Sequence, residues 1–228
     1  MVTVTTSAET LVEKQLKPDV LTVRQIIERM AKTYSTCKSY RDSGVVKTIF
    51  IQLWGKRTAE KPFTTAFVRP DRFRYEYRDN SHTNPNSYIV WRKAQEVQTW
   101  WFINSVVEKQ ESLDMALAGA TGVSGGSAHT IPALLLPNEI GGRRITDITE
   151  MKRVDDVKLE KTDCFRIEGK FAGNPTTLWI DKVTFLIRRI DERKQFKSFR
   201  VNETTIYDPA INCEVTDKML EFNPSELK

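Results

Sequence analysis

The chain has 228 residues, 39% of them hydrophobic and 29% charged, which is enough to bury a substantial core in a single domain. Its 35 Lys plus Arg against 30 Asp plus Glu leave a net charge of +5, spread along the sequence without a basic tail or block. That balance permits an anionic partner such as a lipid headgroup, a membrane surface or a nucleic acid. No run of about 18 apolar residues is present to cross a bilayer as a helix.

Residues 1–21 are polar and Thr-rich, close on Lys17-Pro18 and read as a flexible arm, so a single domain is expected over 22–228. The N-terminus shows no basic region followed by an apolar stretch, which predicts either a cytoplasmic protein or a mature chain whose targeting segment is missing. Thr22 with Gln25 forms a capping-box pattern. Val23, Ile26, Ile27, Met30, Ala31, Tyr34 and Cys37 then recur at helical spacing.

Ser39 to Gly44 breaks that period, and "GVVKTIFIQLW" reads as a β-branched strand. Antiparallel strands are expected over 45–54, 62–69, 72–79, 87–93 and 96–108, separated by turn-formers: the Arg69-Pro70-Asp71 corner and the polar loop "DNSHTNPNS". Such short links favour a meander over parallel crossovers. In "FVRPDRFRYEY", Phe73, Tyr75 and Tyr77 fall on one face and Arg72, Arg74 and Glu76 on the other. A binder of single-stranded nucleic acid would need its arginines on the same face as its aromatic rings, so the alternation argues against nucleic acid as a partner. The strand "VQTWWFINSVV" alternates Val97, Thr99, Trp101 and Ile103 with Trp100 and Phe102. Being apolar on both faces, it suits a central strand as well as a pocket wall.

"SLDMALAGATGVSGGSAHTIPALLLP" interrupts the strands: Ser112 is an N-cap, a short helix follows, and a Gly/Ser stretch at 122–127 leads into an apolar turn. Leu113, Met115, Leu117, Ile131, Leu134 and Leu135 need cover, and Gly125 and Gly126 supply backbone freedom. The segment is therefore either a hinged lid or a loop packed permanently on a sheet. Strands resume near 148–154, 156–162, 164–172, 175–181, 184–194 and 197–207, before a closing segment to Leu220 or Phe222.

Groups for catalysis are sparse. His82 and His129 are the only histidines, both in loop-like contexts without metal-ligand spacing, and Asp155-Asp156 and Asp191-Glu192 sit at turns or on polar strand faces. Cys37, Cys164 and Cys213 match neither a zinc site nor a CxxC pair. No GxSxG, P-loop or HExxH occurs, and "GVSGG" lacks the spacing of a dinucleotide fingerprint. The expectation is a protein that is not an enzyme, with no catalytic residue, metal or cofactor.

The order of helix, Arg-Pro corner, apolar insert, "TLWIDKVTFLIRRID", "TTIYDPAIN" and "LEFNPSEL", the last with Phe222-Asn223-Pro224, resembles the bacterial lipoprotein-localisation carriers of LolA/LolB-like fold. The resemblance implies an α+β, mainly β protein: an incomplete antiparallel β-barrel, a strongly curved sheet wrapped around an N-terminal helix and a short helical lid. It implies a periplasmic or cell-envelope monomer sheltering acyl chains of a lipoprotein or lipid. Phe73, Tyr75, Tyr77, Trp101, Ile103, Leu178 and Ile180 would form the cavity, Leu113–Leu135 the lid and Arg69 its latch. A sensor on the same fold that binds a partner protein is the alternative, and membrane-surface contact fits either. The Gly/Ser hinge and the "TWWF" strand depart from the carriers' pattern and favour another ligand in the same cup. Burying an acyl chain of roughly sixteen carbons is worth on the order of 10 kcal/mol, so a shuttle must wrap the chain and still release it.

Overall fold

The computed structural model describes residues 20–79 and 86–223. Residues 1–19 of the expected arm, the loop with His82, and Pro224 of the terminal match lie outside the described residues.

Helix α1 (Val23–Thr36) starts where its cap dictates: the Gln25 amide donates to Thr22 Oγ1 at 3.3 Å, and the Thr22 amide donates to Gln25 Oε1 at 2.9 Å. Its buried face is Ile26, Ile27, Met30 and Tyr34. Leu21, assigned to the arm by sequence, is buried, and its carbonyl accepts from Arg153. The packed domain therefore begins before the helix cap.

The strands are β1 (Ser39–Gln52), β2 (Gly55–Val68), β3 (Arg72–Asp79), β4 (Asn86–Lys93), β5 (Glu96–Trp101), β6 (Val106–Lys109), β7 (Thr149–Leu159), β8 (Thr162–Phe171), β9 (Asn174–Asp181), β10 (Ile187–Gln195), β11 (Arg200–Tyr207) and β12 (Ala210–Ile211). Helices α2 (Leu113–Ser124) and α3 (Ser127–Leu135) sit between β6 and β7, and a short α4 (Asp217–Leu220) follows β12. Among the described residues, all twelve strands form one antiparallel sheet, in the order β6-β5-β4-β3-β2-β1-β11-β10-β9-β8-β7 with β12 on β1. The two halves of the chain meet where β1 pairs β11, while β6 and β7 end the sheet without pairing each other, so the barrel is incomplete. One face of the sheet packs on α1, α2 and α3 around a single core.

Four departures from the sequence reading have local causes. β1 begins at Ser39, because Ser39–Ser43 pair with Val68–Thr64 of β2, and Gly44 is a close-approach position within the strand: a Cβ there would lie 2.4 Å from the Phe63 ring and from the Ile206 carbonyl. Residues 55–61 continue β2 although their pattern is polar, because the β1–β2 hairpin projects past the core and exposes both faces there. The expected strand 96–108 is a hairpin folded at residues 102–105, where the Ser105 amide donates to Trp101 O at 2.8 Å and Ser105 has φ +52°. Strands 148–154 and 156–162 are mostly one strand, β7, whose register shifts absorb Asp155-Asp156 as a bulge.

The alternation in β3 holds. Phe73, Tyr75 and Tyr77 are buried on the helix side of the sheet. Arg72 and Arg74 do not simply stand in water on the opposite face: Arg72 pairs with Asp217 of α4 at 2.7 Å and Arg74 with Glu76 at 2.6 Å, and their side chains are only 31% and 17% exposed. The C-terminal segment crosses this outer face, where Trp91 donates to Leu220 O at 2.7 Å and Phe222 lies 5.9 Å from the Trp100 ring.

Candidate functional site

The concave face of the half-barrel is an aromatic wall under a helical cover. Phe63, Phe67, Phe73, Tyr75 and Tyr77 come from β2 and β3, with Phe63 stacked on Tyr75 at 6.3 Å and edge-on to Tyr207 at 5.6 Å. Leu178 and Ile180 of β9 are fully buried on the other half of the same core. Over the wall lie Leu113 and Leu117 of α2 and Ile131, Leu134 and Leu135 of α3, all buried. Burying each such side chain is worth roughly 1.5–3 kcal/mol, so the cover is held mainly by apolar contact.

Two expected site residues stand elsewhere, and a third, Trp101, lies at the rim of the concave face. Trp101 is half-buried beside Tyr88, 6.1 Å away near the β6 edge of the sheet. Ile103 falls in the β5–β6 turn and is 65% exposed, because the strand ends two residues before it. Met115 is on α2 but 53% exposed, on the side of the helix turned from Leu113 and Leu117.

Between α2 and α3, Gly125 and Gly126 adopt φ of +66° and +82°, the left-handed region that favours glycine. Gly125 is also sterically required: a Cβ would lie 2.8 Å from Val46, whereas one at Gly126 would meet nothing within 4 Å.

A few polar ties fix the cover. Arg69 donates to Cys37 O (2.7 Å) and Ser35 O (2.6 Å) at the end of α1 and to Leu135 O (2.7 Å) at the end of α3, so one guanidinium joins the two helix C-termini. Tyr75 Oη and Ser127 Oγ share a 2.7 Å hydrogen bond, and Lys61 donates to Val123 O at 2.6 Å. Arg92 pairs with Glu139, and His129 Nε2 meets Gly141 O at 2.8 Å, which gives this histidine a role in fixing the α3 loop.

Asp42 lies inside this assembly. It accepts from Tyr40 Oη and from the Asp208 amide, each at 3.0 Å. Burial nevertheless pushes its carboxyl up to about 7, and the neighbouring Tyr34, Tyr40, Tyr75 and Tyr207 are all raised, chiefly by their own burial.

Beside the cover, a cleft of about 440 Å³ opens on the same face, between the α2–α3 joint and strands β9–β11. Ile145, Phe171, Ile190 and Tyr207 supply its apolar lining, with Gly125 and His129 on the cover side. One end is ionic: Lys194 bridges Glu192 and Glu203 at 3.2 Å each. Burial works against the charge of Lys194, but Glu203 and Glu192 outweigh it and hold the ammonium above its ordinary value. Sequence reasoning missed this cleft. The available signal was Ile190, Glu192 and Lys194 at period two on β10, which puts charges on the core face of a strand.

The class this geometry defines is an open antiparallel half-barrel whose concave face is covered by helices. No family model matches the sequence, and neither does any curated protein. Among solved structures, LprF from Mycobacterium bovis is similar at 10% identity and a TM-score of 0.49, over 88% of this chain and 96% of that one. A LolA superfamily protein from Nitrosomonas europaea is similar at 10% identity and a TM-score of 0.33, over 89% and 98%. The MucA/MucB complex of Pseudomonas aeruginosa is similar at 8% identity and a TM-score of 0.45, over 88% of this chain and 60% of that one.

Proposed function

We propose that the protein is a non-enzymatic carrier of the cell envelope that shelters acyl chains of a lipid or lipoprotein beneath α2–α3. The observation that carries this reading is the amphipathic cleft next to the helical cover. Ile145, Phe171 and Ile190 line the cleft together with Tyr207, which packs edge-on to Phe63 of the aromatic wall, while Glu192, Lys194 and Glu203 form a polar end suited to a headgroup. The cover itself presents leucines and isoleucine to the wall, a surface that an acyl chain can replace without loss of burial. In this reading α2–α3 is the lid, Gly125-Gly126 its hinge and Arg69 its latch.

The test is a fluorescent long-chain fatty acid titrated into delipidated protein, with Ile190→Arg as the comparison. Ile190 is only half-buried, so the variant keeps the fold by circular dichroism while placing a charge in the apolar lining. Loss of probe binding in the folded variant is expected, and undiminished binding would overturn the assignment of the cleft.

A further inference from the structure

The end of the half-barrel past the cleft carries an apolar tip ringed by cations. The β1–β2 hairpin turns on Leu53-Trp54, which are 95% and 79% exposed. Tight two-residue hairpin turns favour Asn, Asp and Gly, so turn chemistry gives no reason for leucine and tryptophan there. Because β1 pairs β11, with Ile51 opposite Arg200, the β10–β11 turn lies alongside. It too is aromatic: Phe196 stacks on Phe199 at 4.5 Å and is 45% exposed. Segments 50–58 and 193–202 contain six basic residues, Lys56, Arg57, Arg193, Lys194, Lys197 and Arg200, and no acidic one. Lys194 turns inward to Glu192 and Glu203, while the other five are exposed.

We propose that this double-hairpin tip docks on the surface of an anionic lipid bilayer. Leu53, Trp54 and Phe196 seat at the boundary between headgroups and acyl chains, where tryptophan is favoured, and the five exposed cations meet anionic headgroups. The combination identifies the occupant: a protein partner would fit the apolar residues alone, whereas a ring of one-signed charge around an aromatic point complements a uniformly anionic plane. The docked orientation also brings the cleft to the membrane. Glu203 at its polar end is opposite Thr48, and Leu53 is five residues further along the strand, a distance of about 16 Å at strand rise. Docking needs no bound acyl chain, so it stands apart from the carrier reading and is testable without a ligand.

The experiment is co-sedimentation of the full chain with vesicles of phosphatidylcholine containing a third phosphatidylglycerol, against vesicles of phosphatidylcholine alone, at low and high salt. Binding to the anionic vesicles that weakens with salt is expected. The Leu53→Ser/Trp54→Ser double variant should lose at least tenfold in affinity, and Lys197→Gln/Arg200→Gln should bind more weakly with a shallower salt dependence. All four positions are exposed or at a turn, so circular dichroism should be unchanged. Absence of wild-type binding to anionic vesicles, or equal binding by the folded Leu53→Ser/Trp54→Ser protein, would overturn the proposal.

Discussion

Replacing Asp42 with Asn should remove a pH dependence of stability that the buried carboxylate imposes. Asp42 is 5% exposed and its pKa is pushed up to about 7, mainly by burial; the two hydrogen bonds it accepts and Arg188 pull it down, and Asp208 adds repulsion. In the unfolded chain an aspartate titrates at about 3.9. The folded state therefore holds its proton to higher pH than the unfolded state, and between about pH 4 and pH 7 folding takes up a proton. Stability must fall as pH rises through that window, by up to about 1.4 kcal/mol per unit, or on the order of 4 kcal/mol in full. Asn keeps one oxygen for the Asp208 amide and can donate to Tyr40 Oη, so it preserves the shape of the site without the charge. The assay is urea unfolding of both proteins at steps from pH 4.5 to 8. The stability of Asp42→Asn relative to wild type should climb steadily toward alkaline pH, by a few kcal/mol in all; other titrations cancel in the difference. A flat difference across the window would refute the argument that burial dominates at this carboxyl.

The polar ties of the cover make separate predictions. Arg69→Leu removes charge-assisted bonds to Leu135 O and Ser35 O, each worth about 1.5–3 kcal/mol, so amide hydrogen exchange over 135–140 should speed up at least tenfold while global stability changes less. If Arg69 is the latch, release of a bound acyl probe should quicken in the same variant. Gly125→Ala should destabilise more than Gly126→Ala, because only the first adds a 2.8 Å approach to Val46 to the left-handed backbone cost of about 1–2 kcal/mol; thermal melts of the two variants check the order. The double alanine variant should slow exchange of an acyl probe measured by stopped flow, and an unchanged rate would leave the joint purely structural.

Features encoded locally were legible in the sequence. Thr22 and Gln25 mark the start of α1 and Ser112 that of α2, because a cap depends on residues three apart. The alternation of Phe73, Tyr75 and Tyr77 predicts the buried wall for the same reason. What failed depends on residues distant in sequence. Ser39–Ser43 read as a break after the helix until their partners Val68–Thr64 are known, and Ile103 reads as part of a strand until Asn104-Ser105 turns the chain. The cleft is assembled from the α2–α3 joint and β9–β11, some 60 residues apart in places, so no local period announces it. Arg69 entered through the resemblance of its Arg-Pro corner, and its contact with Leu135 spans 66 positions that no spacing rule connects.

The carrier reading is tested most directly by titrating delipidated protein with a diacylated lipopeptide and following tryptophan fluorescence, with the unacylated peptide as control. Using the Leu53→Ser/Trp54→Ser protein keeps the hairpin tip from contributing to the signal. Saturable binding that requires the acyl chains is the predicted result. A response that is absent, or the same for the unacylated peptide, would contradict the account and leave the covered wall as an ordinary core.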